Sequence, residues 1–170
     1  LWAVNPANWL DVIQVLSHEA SHSAKFGSLL LTVAVLQLSA RAMRRRIRAT
    51  AEQLRRIRTD SIRYTLESLG LTLLVAAPPS LLLASLGRHL IASLEATSFT
   101  KAIGQAAISV SLGLYYLRAF RVLCMPDGVA DRHFRWSGEV LDLLRRNFDW
   151  LVAVLVPLGF IAVAAYKQED

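Results

Sequence analysis

RAMRRRIRATAEQLRRIRTDSIR, residues 41–63, is a strongly basic stretch that lies between two apolar runs of the chain. Only Glu52 and Asp60 oppose its nine arginines. A basic block between apolar segments is typical of a cytoplasmic loop that joins two membrane-spanning helices. The stretch therefore predicts a membrane protein and the side of the bilayer on which this loop lies. Its arginines are Arg41, Arg44, Arg45, Arg46, Arg48, Arg55, Arg56, Arg58 and Arg63.

The composition agrees with a membrane protein. Hydrophobic residues make up 54% of the 170 residues and charged residues 19%, and the mean hydropathy is +0.40. A soluble domain typically has about 45–50% apolar and about 25% charged residues. The net charge of +6 indicates anionic lipid or nucleic acid as a partner, and the long apolar runs favour lipid. The single cysteine, Cys124, excludes an internal disulfide and a cysteine-based zinc site, and no cofactor is expected.

The apolar runs predict an all-α integral membrane fold with about four spans. The first span is short, because the charge-free run between Lys25 and Arg41 falls below the roughly 17–25 residues that a crossing needs. It crosses only if both charged side chains snorkel to opposite interfaces, and the alternative is a helix that enters the membrane without crossing. We expect spans at about residues 25–42, 67–87, 99–121 and 150–166, with helical cytoplasmic loops at about 43–66 and 122–149.

Two further helices are expected outside the spans. Residues 1–24 predict an amphipathic lead-in helix on the periplasmic membrane surface, capped by Asn8 and starting near Trp9. Residues 137–147 predict an amphipathic helix in the second cytoplasmic loop. Because the chain begins at Leu1 without a methionine, we expect it to be a piece of a longer protein.

Three prolines interrupt the predicted spans. Pro78 and Pro79 lie in the middle of the second span, and Pro157 lies in the fourth. Proline removes a backbone donor and crowds the carbonyl four residues before it, so these positions predict a kink or a break. In lipid the freed carbonyls need protein partners, so the kink of the second span should face other helices. A passive bend and a moving hinge fit this pattern equally well.

The third span carries small residues at helical spacing. Ala102, Ala106, Ser109 and Gly113 fall at i, i+4, i+7 and i+11, which places them on one helical face. Small faces allow helices to pack closely in membranes. We therefore predict a packing face, although alanine is also simply common in such helices.

The distribution of positive charge predicts the orientation. The loop at residues 41–63 carries nine basic residues and the stretch at 118–146 carries six, which together make fifteen. The other side holds Lys25, Arg88, Lys101 and Lys167, only four of the 19 basic residues. This positive-inside bias predicts both termini outside the cell. The basic loops are expected to bind anionic lipid headgroups on the cytoplasmic face and not nucleic acid, because they lack interleaved aromatic residues.

An HExxH motif, His18-Glu19-Ala20-Ser21-His22, suggests an alternative function. On a helix this spacing puts His18 and His22 on one face and lets Glu19 activate a zinc-bound water, as in membrane zinc metallopeptidases. A catalytic zinc needs a third protein ligand. His89 lies in an uninformative loop, His133 is predicted across the bilayer, and nothing around Glu95 resembles a ligand helix, so no clear third ligand is present. The simpler interpretation is a surface helix with polar residues.

The chain resembles the first inner-membrane domain of the large MscS-like mechanosensitive channels, a group that includes the potassium-dependent type. The resemblance is carried by RRRIRATAEQLRRIRTDSIRYTLESL at 44–69, LLVAAPPSLLL at 73–83 and LCMPDGVADRHFRW at 123–136. NPANWLDVIQVL at 5–16 looks like the lead-in helix. Two features depart from the family pattern: adjacent prolines replace an expected proline, aromatic, proline run, and the family does not carry an HExxH motif.

The resemblance implies a function that is not enzymatic. The fragment would be a peripheral helical paddle in the bacterial inner membrane, with a periplasmic region before Leu1 and the pore helix beyond Asp170. Such channels look like heptamers that open when the bilayer is stretched during osmotic downshock, and this assembly would form through regions outside the fragment. The present segment would sense or transmit tension through contacts with lipid and with neighbouring helices of the same chain, without conducting ions.

Overall fold

The computed structural model describes residues 5–22, 24–56, 62–94, 96–132 and 134–169. Within these ranges all regular structure is helical. The helices are α1 (Pro6–His22), α2 (Ala24–Arg56), α3 (Ile62–Ala92), α4 (Ser98–Leu123), α5 (Val129–Arg132) and α6 (Gly138–Glu169).

Four of the described helices are long and apolar enough to cross a membrane. This confirms the predicted all-α membrane fold with four spans, whereas the orientation of the termini stays a prediction. The segment in α2 has 22 residues, but its last turns contain Arg41, Arg44, Arg45 and Arg46, so a full crossing with snorkelling of Lys25 and Arg41 stays a prediction. The segments are Phe26–Ile47, Thr65–Ala92, Ser98–Leu123 and Gly138–Gln168.

Two of these helices extend beyond the predicted span ends. α2 continues without a break through Arg41 as far as Arg56, so the first span and the start of the basic segment are one helix. α6 likewise joins the predicted loop helix at 137–147 to the span that was expected from Trp150. Neither junction contains a glycine or a proline, so nothing in the local sequence ends the helix.

The lead-in helix begins earlier than the sequence suggested. Asn5, and not Asn8, caps it: the Asn5 side-chain oxygen accepts a hydrogen bond from the Ala7 N–H at 3.1 Å. Pro6 occupies the first helical position. A backbone N–H at this position would have no partner within the helix, so proline costs no hydrogen bond there. α1 also packs on the bundle through Val12 and Val15, which are both buried.

The four spanning helices lie in a row in chain order. α3 packs against α2 on one side and α4 on the other, and α4 packs against α6. α2 and α6 are therefore the two edges of the row, and only 11% and 6% of their spanning residues are buried, against 33% in α3 and α4. The main apolar core joins α1, α3, α4 and α6 through Val12, Val15, Leu90, Phe99, Ile103, Ala106 and Ala164.

The prolines lie inside continuous helices. α3 runs through Pro78 and Pro79 and α6 runs through Pro157, so none of the three ends a helix, and a kink at these positions stays a prediction. Pro78 is fully buried in the bundle and Pro79 is half-buried. Pro157 is exposed and lines an open apolar groove of about 420 Å³ beside Trp9 and Phe160.

Candidate functional site: the basic end of the bundle

The loop after α4 folds back on itself at one end of the bundle. The N–H of Cys124 closes α4 by donating to the carbonyl of Phe120, and the N–H of Gly128 donates to the Met125 carbonyl at 2.9 Å. Asp127 in this turn has a φ of 59°. Its backbone N–H donates to the Asp131 carboxylate at 2.9 Å. The loop is therefore held by its own backbone and carboxylates before the next helix begins.

Side chains from the loop and from α6 form a small apolar core at this end. Cys124, Ala130 and Leu141 are buried there, and Leu144 and Phe148 pack against them. Burial raises the pKa of the Cys124 thiol, and the positive charge of Arg145 opposes part of that increase. The core fixes the first turns of α6 to the loop.

Arg121 and Asp149 connect α4 to α6 next to this core. The Arg121 guanidinium donates from Nη2 to Asp149 Oδ2 at 3.1 Å and from Nε to the other carboxylate oxygen. The rings of Phe120 and Phe148 stack beside them, with centroids 5.8 Å apart. A bidentate arginine–carboxylate pair has a defined geometry, so it sets the register between the two helices.

Positive charge exceeds negative charge around this pair. Arg118 lies close enough to Arg121 and to Arg44 of α2 for their charges to repel its own, and Asp149 is the opposing carboxylate. The Nε atom of Arg118 is buried and has no hydrogen-bond partner within the described ranges. Arg118 and Arg121 of α4 therefore both lie close to the Asp149 carboxylate, while Arg44 of α2 lies close to Arg118, so positive charge gathers at this point.

The two basic segments meet at the same end of the bundle. α5, in the second loop, contacts α2 and α3. On α2, the side chains of Arg41, Arg44, Arg45 and Arg46 are exposed. Arg48, Arg55 and Arg56 lie on α2 but their side chains fall outside the description, and Arg58 lies outside the described residues.

Only half of the predicted packing face of α4 is buried. Ala102 and Ala106 are buried, whereas Ser109 and Gly113 are exposed. A close backbone approach lies instead at Gly104, where an added Cβ atom would lie 2.7 Å from the carbonyl oxygen of Gly87 on α3. Sequence spacing could not select this residue, because the partner glycine lies on another helix.

The HExxH motif lies on the last turns of α1, whose bounds are Pro6–His22. The side chains of His18, Glu19 and His22 fall outside the description, as does all of His133. Among the described residues, no three histidine, cysteine or acidic side chains converge as a metal site. His89 packs its ring edge-on against Phe26, with centroids 4.6 Å apart.

Comparison with known proteins identifies the family. The family model described as "mechanosensitive ion channel inner membrane domain 1" matches residues 24–170. This range contains all four candidate spans and both basic segments, and leaves α1 outside. No curated protein and no solved structure matches the chain. The matched family is a family of channel domains and not of enzymes. The chain is thus a multi-pass membrane protein that belongs to the MscS-like mechanosensitive channels, as an inner membrane domain 1.

Proposed function

We propose that this domain is an accessory, non-pore part of its channel and that it senses or transmits bilayer tension during hypo-osmotic shock. The observation that carries the proposal is the row of helices, in which few of the spanning residues of α2 and α6 are buried. Lipid tension acts on a protein through the area and shape that it presents to the bilayer. A row whose two edge helices are largely unburied presents those two helices to the bilayer.

Tension can shift gating only if the open and closed states differ in their interaction with the stretched bilayer. Helices that face lipid change tilt at a modest cost per ångström of hydrophobic mismatch. In this domain α6 is coupled to α4 by the ion pair of Arg121 and Asp149. We infer that a change of tilt in α6 is passed to α4, and from α4 to α3 through their close packing.

The interior of the row supports a role without conduction. The buried polar side chains of the described residues are all serines and threonines, and none carries a charge. Thr72, for example, donates its hydroxyl to the Ser68 carbonyl of its own helix. Ion pathways in membranes are usually marked by ionisable residues that face the bundle interior. The pore is therefore proposed to lie in another part of the channel.

The basic end is proposed to hold the domain at the cytoplasmic leaflet of a bacterial inner membrane. Headgroup phosphates would bind the exposed arginines of α2, about 1 kcal/mol for each basic residue near an anionic surface. The same orientation puts both termini outside the cytoplasm. By resemblance, we also propose a heptameric channel of the potassium-dependent type.

A patch-clamp comparison tests the sensing role. The full-length channel and a variant lacking residues 24–170 are opened by suction in the same membrane, with an unrelated tension-gated channel as the internal reference. For each protein, the pressure that opens it is divided by the pressure that opens the reference channel. We expect this ratio to be higher for the variant than for the full-length channel. An unchanged ratio, with the pore still conducting, would show that the domain does not sense tension.

A reporter fusion tests the orientation separately. Two separate fusion proteins carry a reporter that is active only in the periplasm. In the first the reporter follows Asp170, and in the second it is inserted in the loop at Gly128. We expect activity from the first fusion and silence from the second. The reverse pattern would reject the proposed topology without bearing on tension sensing.

A further inference from the structure

Arg118 lies on the packed face of α4. The buried residues Ser111 and Val122 lie on the same face, about two turns before it and about one turn after it. The Nε atom of Arg118 is buried and makes no hydrogen bond within the described ranges. Buried polar groups are normally hydrogen-bonded, and a charged donor that lacks an acceptor costs free energy. Arg118 is therefore a donor that an anion from outside the bundle can satisfy.

The carboxylate beside Arg118 is already engaged. Both carboxylate oxygens of Asp149 accept hydrogen bonds from Arg121. Neither Arg44 nor Arg118 forms an ion pair with a carboxylate in the part of the chain that the structure describes. The charges of Arg44 and Arg121 lie close enough to Arg118 to repel it. An anion between Arg44 and Arg118 would be attracted by both and would offset their repulsion.

Arg44 and Arg118 belong to helices that are not neighbours in the row, because α3 packs between α2 and α4. The two guanidinium groups can therefore bind one anion from two different helices. Guanidinium groups bind phosphate oxygens through parallel N–H donors, which gives these pairs a defined geometry. We propose that Arg44 and Arg118 together hold the phosphate group of one anionic phospholipid, which ties the edge helix α2 to α4 across α3.

The depth of the two arginines favours a lipid over a soluble anion. Arg44 lies in the last turn of the segment Phe26–Ile47, and Arg118 lies in the last turns of Ser98–Leu123. Arginines near the ends of spans extend their charged groups to the level of the headgroups. A phospholipid carries its phosphate at this level, whereas a soluble anion would have to leave water to reach a donor that the bundle covers. The inference rests on the proposed function, which puts the basic end at an anionic leaflet.

Lipid binding to the full-length channel tests the shared site. The channel is titrated with phosphatidylglycerol in a neutral maltoside detergent, which carries no phosphate, and bound lipid is counted by native mass spectrometry. Arg44→Gln and Arg118→Gln should each weaken the tightest class of binding several-fold. The double variant should lose less affinity than the product of the two single losses, because both arginines bind one phosphate.

Arg45→Gln is the matched control. Arg45 is exposed next to Arg44 on α2, but it points about 100° away around the helix. Its loss of affinity should be small and should multiply with that of Arg118→Gln. Losses that multiply for Arg44→Gln and Arg118→Gln would indicate two independent headgroup contacts and overturn the shared site. An equal loss with Arg45→Gln and Arg44→Gln would indicate attraction to net charge alone and would overturn it too.

A titration with inorganic phosphate separates the two sources of the anion. We expect inorganic phosphate to bind at least several-fold more weakly than phosphatidylglycerol. Binding of equal strength that is lost in Arg118→Gln would assign the site to a soluble anion and would overturn the lipid proposal.

Melting in the same detergent without lipid shows whether Arg118 is instead a structural contact. Arg118→Gln should melt no lower than the unchanged protein, because the substitution relieves repulsion where no phosphate is bound. A lower melting temperature would mean that Arg118 holds the helices together without a phosphate, which would overturn the proposal. These results are separate from tension sensing: an unchanged pressure ratio on deletion of residues 24–170 would reject sensing and leave the lipid counts unaffected.

Discussion

Gly87 of α3 and Gly104 of α4 face each other closely. A Cβ atom on Gly87 would lie 2.5 Å from the Gly104 carbonyl oxygen, and one on Gly104 would lie 2.7 Å from the Gly87 carbonyl oxygen. Both distances are far below a van der Waals contact, so the two backbones touch only because neither residue has a side chain. This contact joins the two central helices of the row.

Gly104→Ala is expected to separate these helices and to lower the free energy of unfolding by about 1–3 kcal/mol, the usual cost of overpacking. Gly113→Ala on the same helix is the control, because its added Cβ would meet nothing within 4 Å. Unfolding of both variants is measured in the same detergent. An equal loss in the two variants would show that the Gly104 contact is not what holds the helices together.

The buried thiol of Cys124 gives a pH prediction. Because burial raises its pKa, the thiolate should form at higher pH in the folded domain than in the unfolded chain. The unfolded state then binds fewer protons, so stability is complete below the unfolded pKa and falls as the pH rises towards the folded value. Alkylation of Cys124, followed against pH with and without denaturant, measures both pKa values. A lower folded value would contradict the burial argument.

At the scale of helices, local sequence predicted which segments span, because hydropathy and charge are properties of neighbouring residues. Helix ends were harder to predict: α2 and α6 run through their expected boundaries, since charged residues such as Arg41 are good helix formers. Packing partners could not be predicted, because they depend on which faces meet. Ser109 shares a face with Ala106 in the sequence pattern, yet Ala106 is buried and Ser109 is exposed.

The continuity of α6 can be tested with proline. Asn147→Pro places proline inside the helix, where it removes a backbone hydrogen bond and costs about 3 kcal/mol or more. Gly138→Pro places it at the first residue of α6, where it should be tolerated. Thermal unfolding should show a large loss for the first variant and little change for the second. Similar stabilities would mean that the loop helix and the span are separate elements.

At the scale of the whole molecule, the row of helices has two chemically different ends. The basic segment of α2 and the second loop lie together at one end, where Arg118 and Arg121 lie close to the Asp149 carboxylate and Arg44 lies close to Arg118. Arg88, near the end of α3, is exposed and lies at the opposite end of the row. We therefore expect an anionic leaflet to interact with one end of the domain more strongly than with the other.

This asymmetry predicts how lipid composition changes stability. A ligand that binds only the folded state raises its stability, so anionic lipid should raise the melting temperature of the domain above that in zwitterionic lipid. Arg44→Gln with Arg118→Gln should reduce this difference, and Arg88→Gln should leave it nearly unchanged. Added salt should reduce it too, because screening acts over about 10 Å at 0.1 M and weakens exposed charge pairs most. If Arg88→Gln and the double variant lowered the difference equally, lipid binding would depend on net charge alone, and the convergence of arginines at the basic end would have no special part in it.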